Sequence, residues 1–214
     1  MKYELTDETI EVKGRTLYRI RYLKTGETGG WVESERNLSQ EGDAAVYGYA
    51  RVFGNAAVFG NAEVCDNAEV SGNAQVYGDA QIYGYARASG YAQVFDYAWV
   101  FDDAKVSGNA RVYGDASARG DAEVSGNARV CGGTWHASPL QIQGTKFFFS
   151  VSSKSTITVG CTTGTVAEWV SSYEHMFKAH GFTEMQQREY KLYFNLAAQL
   201  YGWDARLPVL EDAI

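Results

Sequence analysis

Histidine is nearly missing from this 214-residue chain: three residues in all, and none between Gly42 and Gly132. That segment therefore carries no imidazole to act as a general base or to hold zinc. Cysteine is equally scarce. Cys65, Cys131 and Cys161 form no C-x-x-C pair and are odd in number, which argues against a disulfide frame and leads us to expect reduced thiols in a cytoplasmic protein. Charged residues make up 21% of the chain, with a net charge of −7. Acids such as Glu63, Glu69, Asp79 and Asp121 outnumber Arg51, Arg87, Lys105, Arg111 and Arg129, so direct nucleic-acid binding through phosphate neutralisation is not expected. The excess is modest and suits a soluble surface more than a nucleic-acid mimic. No apolar run approaches membrane-spanning length, and Met1-Lys2-Tyr3-Glu4 does not open a signal peptide, so no membrane association is expected.

What is present is a repeat. An alanine recurs every six residues from Ala44 to Ala128, and a second small apolar residue follows two positions later, as in Val46, Val52, Val58 and Val64. The unit is A-x-V-x-G-N. Alternation over A-x-V-x is strand behaviour, with Ala and Val inward and the x positions outward. The Gly-Asn, Gly-Asp or Asp-Asp pair that follows turns the chain. Sorting the outward residues by eighteens separates a serine column (Phe53, Ser71, Ser89, Ser107, Ser125) from an aromatic one (Phe59, Tyr77, Phe95, Tyr113, Cys131). A third column is mixed: Tyr47, Cys65, Tyr83, Phe101, Arg119. Only a three-sided coil stacks residues at that spacing.

A triangular hexapeptide coil resembles the left-handed parallel β-helix. Ala takes that family's [STAV] slot and Val its aliphatic slot, while the usual small second position is Tyr, Phe, Ser or Cys here. Fifteen hexads make about five coils, each adding about 4.8 Å. The expected partition is an N-terminal β cap (1–41), the β-helix (42–133) and a C-terminal α+β tail (134–214). Residues 8–23 alternate as a hairpin with Gly14 in its turn, which suits a cap over the exposed strand edges of a solenoid. The run Gly26-Glu27-Thr28-Gly29-Gly30-Trp31-Val32-Glu33, followed by Asn37-Leu38-Ser39-Gln40-Glu41-Gly42-Asp43-Ala44, resembles the start of the YdcK-like proteins of bacteria and phages. The resemblance covers roughly residues 1–130 and implies a left-handed β-helix without an established activity. In the tail, strands are expected over Leu140–Ile142, Lys146–Val151 and Thr156–Val159. Two helices follow, opened by capping boxes at Thr165/Glu168 and Thr183/Gln186, with Gly181 between them. The first is expected to bury Val166, Trp169, Val170, Tyr173 and Phe177, the second Tyr190, Tyr193, Phe194, Ala197 and Leu200. This tail is similar to one found at the end of phage-encoded hexapeptide-repeat proteins.

Enzyme readings find little to rest on. Hexapeptide acyltransferases, the main alternative, use a histidine base and hold coenzyme A between coils of neighbouring subunits; here the repeat has no insertion, and His136 lies just beyond it. A three-histidine zinc site is unpromising, because His175 and His180 sit five apart on a helix and face different directions. The serine column is flanked by Arg51, Glu69, Arg87, Lys105 and Glu123, whose alternating charges suit a solvated face rather than an ice-binding plane. No catalytic residue, metal or cofactor is assigned. Recognition remains. Tyr85, Tyr91 and Tyr97 occupy three successive corners, with Trp99 and Phe101 close by, and form the expected partner-binding belt. Phe59, Tyr77, Phe95 and Tyr113 form the expected oligomer interface. The expected protein is a non-enzymatic, phage-type interaction scaffold that binds or inhibits a host macromolecule, possible defence systems included. It is expected to be a homo-oligomer, with a trimer favoured because the family's proteins are commonly trimers.

Overall fold

The computed structural model describes residues 1–208. The chain divides into two compact units, Met1–Pro139 and Leu140 onward.

In the first unit, every repeat alanine from Ala44 to Ala128 is buried, and so is its partner two residues on. Each rung pairs in parallel with the rung eighteen residues later, as in Gln75↔Gln93 and Val76↔Val94. The Gln75 and Tyr77 amides donate to Ala92 O at 2.9 Å and Val94 O at 3.0 Å. Three parallel sheets result, forming a mainly β solenoid of about six turns. That is more than the about five coils expected from fifteen hexads. Segments outside the strict repeat complete the count. Trp31 and Val32 pair in parallel with Arg51 and Val52, and Thr134 and Trp135 pair with Ser117 and Ala118. Backbone pairing needs only alternation and the right turn, so these rungs form without the alanine signature.

The corners turn on one left-handed residue each. Glycine takes it at most of them; Asp66, Asp96 and Asp102 take it at the rest, with φ of 59°, 58° and 58°. Each of these aspartates accepts the amide of the next coil's corner glycine: Gly84 at 3.1 Å, Gly114 at 3.2 Å and Gly120 at 3.1 Å.

Strands β1 (Tyr3–Val12) and β2 (Arg15–Tyr22) form an antiparallel hairpin turned by Lys13 and Gly14, both at positive φ. β2 then pairs with β3 (Thr28–Val32), which carries the sheet into the solenoid. The hairpin therefore extends one solenoid sheet. Its Val12 and Leu17 pack with Trp31 and Phe53. The G-G-W-V run is structural. A Cβ on Gly29 would lie 2.5 Å from the Ile20 side chain and 2.7 Å from Val46 O; one on Gly30 would lie 2.7 Å from Ala50 O. The N-L-S-Q run is structural too. Asn37, fully buried, donates to Gly54 O and Ala56 O and accepts from the Ser34 amide. Leu38 is buried and bridges to Val58. Gln40 accepts from the Lys2 amide at 2.7 Å and donates to Tyr3 O, tying down the chain start.

The second unit is an antiparallel sheet of Gln141–Gln143, Phe148–Ser153, Thr156–Val159 and Thr162–Thr165, followed by helices α1 (Val166–Ala179) and α2 (Glu184–Leu200). Its fourth strand was not foreseen: Thr162-Thr163-Gly164-Thr165 lacks any apolar alternation. Both capping boxes form as expected. At Gly181 the Phe182 amide reaches Phe177 O and the Gly181 amide reaches Lys178 O, a Schellman closure. Two residues expected inside lie outside. Val170 and Leu200 are exposed, because Trp169 with Phe177, and Phe194 with Ala197 and Ala198, set the buried stripes at other angles. No helix among the described residues is long and apolar enough to cross a membrane.

Candidate recognition surfaces

The solenoid presents three outward faces with different chemistry. On the charged face, Arg51, Glu69, Arg87, Lys105 and Glu123 stack rung upon rung. The hairpin covers its start: Glu69, only 7% exposed, accepts from Lys13 Nζ at 2.5 Å, with Arg51 at 3.9 Å.

The second is a ladder face. Phe59, Tyr77, Phe95 and Tyr113 stack with ring centroids 4.9, 4.9 and 5.0 Å apart and planes within 5° of parallel. Beside them Gln93 donates to Gln75 at 3.2 Å. Each ring covers its neighbour's face, so the column turns edges outward. The expected interface residues thus form one continuous column. Its inner rings are half-buried by each other, which lowers the apolar area left in water.

The third face carries Glu63, Gln81, Trp99 and Ser117 in one column and Tyr47, Cys65, Tyr83, Phe101 and Arg119 in the other. Phe101 stacks on Tyr83 at 4.8 Å. Arg119 lies over the Phe101 ring and donates to His136 Nδ1 at 2.9 Å. The Cys65 thiol is pushed up to about 11, first by burial and then by Asp66 and Glu63. Burial likewise raises Cys131.

The expected belt divides between these surfaces. Tyr85, Tyr91, Tyr97 and Trp99 are 63%, 64%, 68% and 47% exposed. Tyr97 leads into the Trp99 rung at one edge of the third face. Tyr85 leaves the preceding rung at the other edge. Tyr91 sits on the remaining corner, between the charged and ladder faces, so one flat partner cannot touch all three tyrosines. None of them is at positive φ, because the left-handed residue is the one before: Gly84, Gly90 or Asp96. Tyrosine therefore brings no left-handed strain to these corners. What Tyr91 does interrupt is an asparagine ladder, intact at Asn55–Asn73 (3.2 Å) and Asn109–Asn127 (3.3 Å).

Residues 104–120 match the family model described as the YdcK beta solenoid repeat. That stretch is similar to the YdcK-type repeat. The matched stretch is about one coil long, and the solenoid around it is consistent with a YdcK-like repeat protein. A comparison with curated proteins finds no match.

Elsewhere among the described residues the remaining candidates are small or already satisfied. His175 and His180 are exposed on or beside α1, and His180 meets the Phe147 ring edge-on. No cluster of three His, Cys, Asp or Glu side chains among the described residues is suited to a metal ion. A cavity of about 20 Å³ in the second unit, lined by Phe147, Trp169, Phe177 and Phe182, has room for a water and no more. A groove of about 350 Å³ runs beside the hairpin, but Lys13 and Arg15 there are paired with Glu69 and Glu33. Glu33 also accepts the Gly54 amide at 2.6 Å; that bond, with Arg15, holds its carboxyl below the usual range. Sequence reasoning overlooked the burial of Glu69, whose signal was the length of the hairpin, long enough to reach the second rung. It also overlooked how corner charge is distributed.

Proposed function

We propose that this chain is a non-enzymatic binding scaffold whose third face contacts a macromolecular partner. The observation that carries this is the exposure of Tyr97 and Trp99, adjacent on a backbone fixed by rung-to-rung hydrogen bonds. Large aromatics on a rigid support lose little freedom on binding and are the commonest interface anchors. A fully formed repeat backbone also supplies no loop on which catalytic groups could be arranged within the matched coil. The resemblance to phage-type repeat proteins makes a host macromolecule the expected target, in a cytoplasm where the three thiols, none in a disulfide, stay reduced. The ladder face supports a second contact, between copies of the chain, with a trimer as the expected state.

The test is a photo-crosslinking residue at position 99, with position 93 on the ladder face as comparison, expressed in bacterial cells. One discrete adduct at position 99, lost when Tyr97 is replaced by Asn, is the expected result. Only diffuse adducts at both positions would reject the reading.

A further inference from the structure

The corner residues carry a charge pattern that the faces alone do not reveal. Three corners recur along the solenoid, and their charge is not shared evenly. The corner between the charged and ladder faces reads Gly54-Asn55, Gly72-Asn73, Gly90-Tyr91, Gly108-Asn109 and Gly126-Asn127, with no charge at any level. The corner between the ladder and third faces carries Asp43, Asp79, Asp96 and Asp115. The corner between the third and charged faces carries Asp66, Asp102, Asp103 and Asp121. All of these aspartates are exposed, and every acidic corner residue of the solenoid borders the third face.

That face has the exposed aromatics Trp99, Tyr97 and Tyr85 and the stacked pair Tyr83–Phe101 between its two acidic edges. Its cation, Arg119, is engaged by Phe101 and His136. Turn geometry does not demand Asp43, Asp79, Asp103, Asp115 or Asp121, since the uncharged corner has Asn at the equivalent position at four of its five levels; Asp66, Asp96 and Asp102 stand at the left-handed position instead. Asp103, Asp115 and Asp121 are the plainest case: they stand where that corner has Asn109 or Asn127. An apolar centre with a charged border is the arrangement of a protein interface, in which the border sets partner choice and encounter rate. A second copy meeting this face with its own would bring acidic edges together, which is repulsive. Phosphate backbones are repelled likewise.

We propose that the third face docks a basic, amphipathic protein segment: apolar side chains over Trp99 and Phe101, flanked on both sides by Arg or Lys facing the aspartate corners. This rests on the binding-scaffold reading above and names its partner's chemistry.

The test measures fluorescence polarisation of labelled peptides against the full chain. Three probes are used: an Arg-Leu peptide with a Leu-rich centre and Arg residues on both flanks, the same with Gln for Arg, and the same with Ser for Leu. The Arg-Leu peptide is expected to bind best, and to weaken about tenfold or more when salt rises from about 50 to about 300 mM. Trp99→Ala should weaken it by about tenfold or more. So should the triple change Asp103→Asn, Asp115→Asn and Asp121→Asn, which installs the residue native to the uncharged corner and preserves folding. Gln93→Ala, on the ladder face, should leave binding unchanged. Equal binding of the Arg-Ser peptide, insensitive to Trp99→Ala, would reduce the effect to diffuse charge attraction and overturn the proposal. Equal binding of the Gln-Leu peptide would overturn it while sparing the scaffold reading. Absence of any peptide binding at low salt overturns it as well, and a discrete crosslink at position 99 would then leave the scaffold reading standing. Self-association that Trp99→Ala abolishes would identify a second copy as the occupant and also refute it.

Discussion

Replacing the three left-handed aspartates separates two contributions that the corners combine. Asp66, Asp96 and Asp102 hold φ near 58° and accept a glycine amide from the next coil at 3.1–3.2 Å. Alanine at such a corner loses the hydrogen bond and adds a Cβ clash that Asp, with its local polar side chain, tolerates better. The bond is exposed and water replaces it in part, so its loss costs about 0.5–1 kcal/mol. The conformational cost adds about 0.5–1 kcal/mol, giving about 1–2 kcal/mol per Asp→Ala change. Glycine loses the same bond and widens the unfolded ensemble by about 0.4–1 kcal/mol, but the relief at positive φ offsets most of this, leaving about 0–1 kcal/mol. The triple alanine variant should therefore fall about 3–6 kcal/mol, and the triple glycine variant about 0–3 kcal/mol, if the sites add. Triple asparagine keeps both an acceptor oxygen and tolerance of the left-handed region, and should stay near the parent. For a chain of this size about 3 kcal/mol corresponds to about 6–12 °C in melting temperature. Thermal melts and urea midpoints, compared at equal slope, provide the assay. Coincident melts of the alanine and glycine triples would refute the backbone argument; an asparagine triple as unstable as the alanine triple would refute the acceptor argument.

Four further outcomes are expected. Val76→Asp, placing an unpaired carboxylate at a fully buried position, should unfold the solenoid, whereas Gln75→Ala beside it should shift stability by less than about 0.5 kcal/mol; equal melts would reverse the inside–outside assignment. Glu69→Ala should cost about 1–2 kcal/mol, because the buried carboxylate joins Lys13 to the second rung beside Arg51, and a double-mutant cycle with Lys13→Ala should show coupling between the pair. Light scattering should return more than one 23.6 kDa chain at micromolar concentration, and Phe95→Asp with Tyr113→Asp should reduce it to one; a monomeric parent rejects the ladder-face interface. Cys65 should resist alkylation near neutral pH and gain reactivity as pH rises toward about 11, where its thiolate forms; rapid labelling at pH 7 would contradict its buried, acid-flanked setting.

The solenoid was legible because a six-residue period leaves no competing fold, and because residues eighteen apart sort into chemically distinct columns only on three sides. The rungs at Trp31 and Trp135 were not legible, since pairing in a parallel stack needs backbone shape more than composition. The helices announced themselves through Thr165/Glu168 and Thr183/Gln186; the strand at Thr162–Thr165 had no such marker. The aromatic residues were visible, but their arrangement was less so. Stacking turns Phe59, Tyr77, Phe95 and Tyr113 into one edge-out column, while the triangular section sends Tyr91 away from Tyr97 and Trp99. A linear reading treats neighbours in sequence as neighbours on a surface, and the corners of a solenoid break that rule.

The aspartates at the left-handed position show how such a fold handles conflicting demands. Down the corner between the third and charged faces, that position reads Gly48, Asp66, Gly84, Asp102, Gly120: glycine and aspartate alternate. Stacked rings put successive coils about 4.8 Å apart, a spacing at which two like charges in water repel by about 0.9 kcal/mol. Alternation doubles the distance and halves that cost. It also gives each carboxylate the amide it needs, since Asp66 and Asp102 accept from Gly84 and Gly120, the glycines one coil on. Charge reappears beside this column at Asp103 and Asp121, where it accepts no corner amide from the next coil and successive levels do repel. Stability alone would favour asparagine there, as at Asn109 and Asn127. The local cost is therefore incurred for the field along the edge of the third face, and that field is what a basic partner would meet before its apolar side chains reached Trp99.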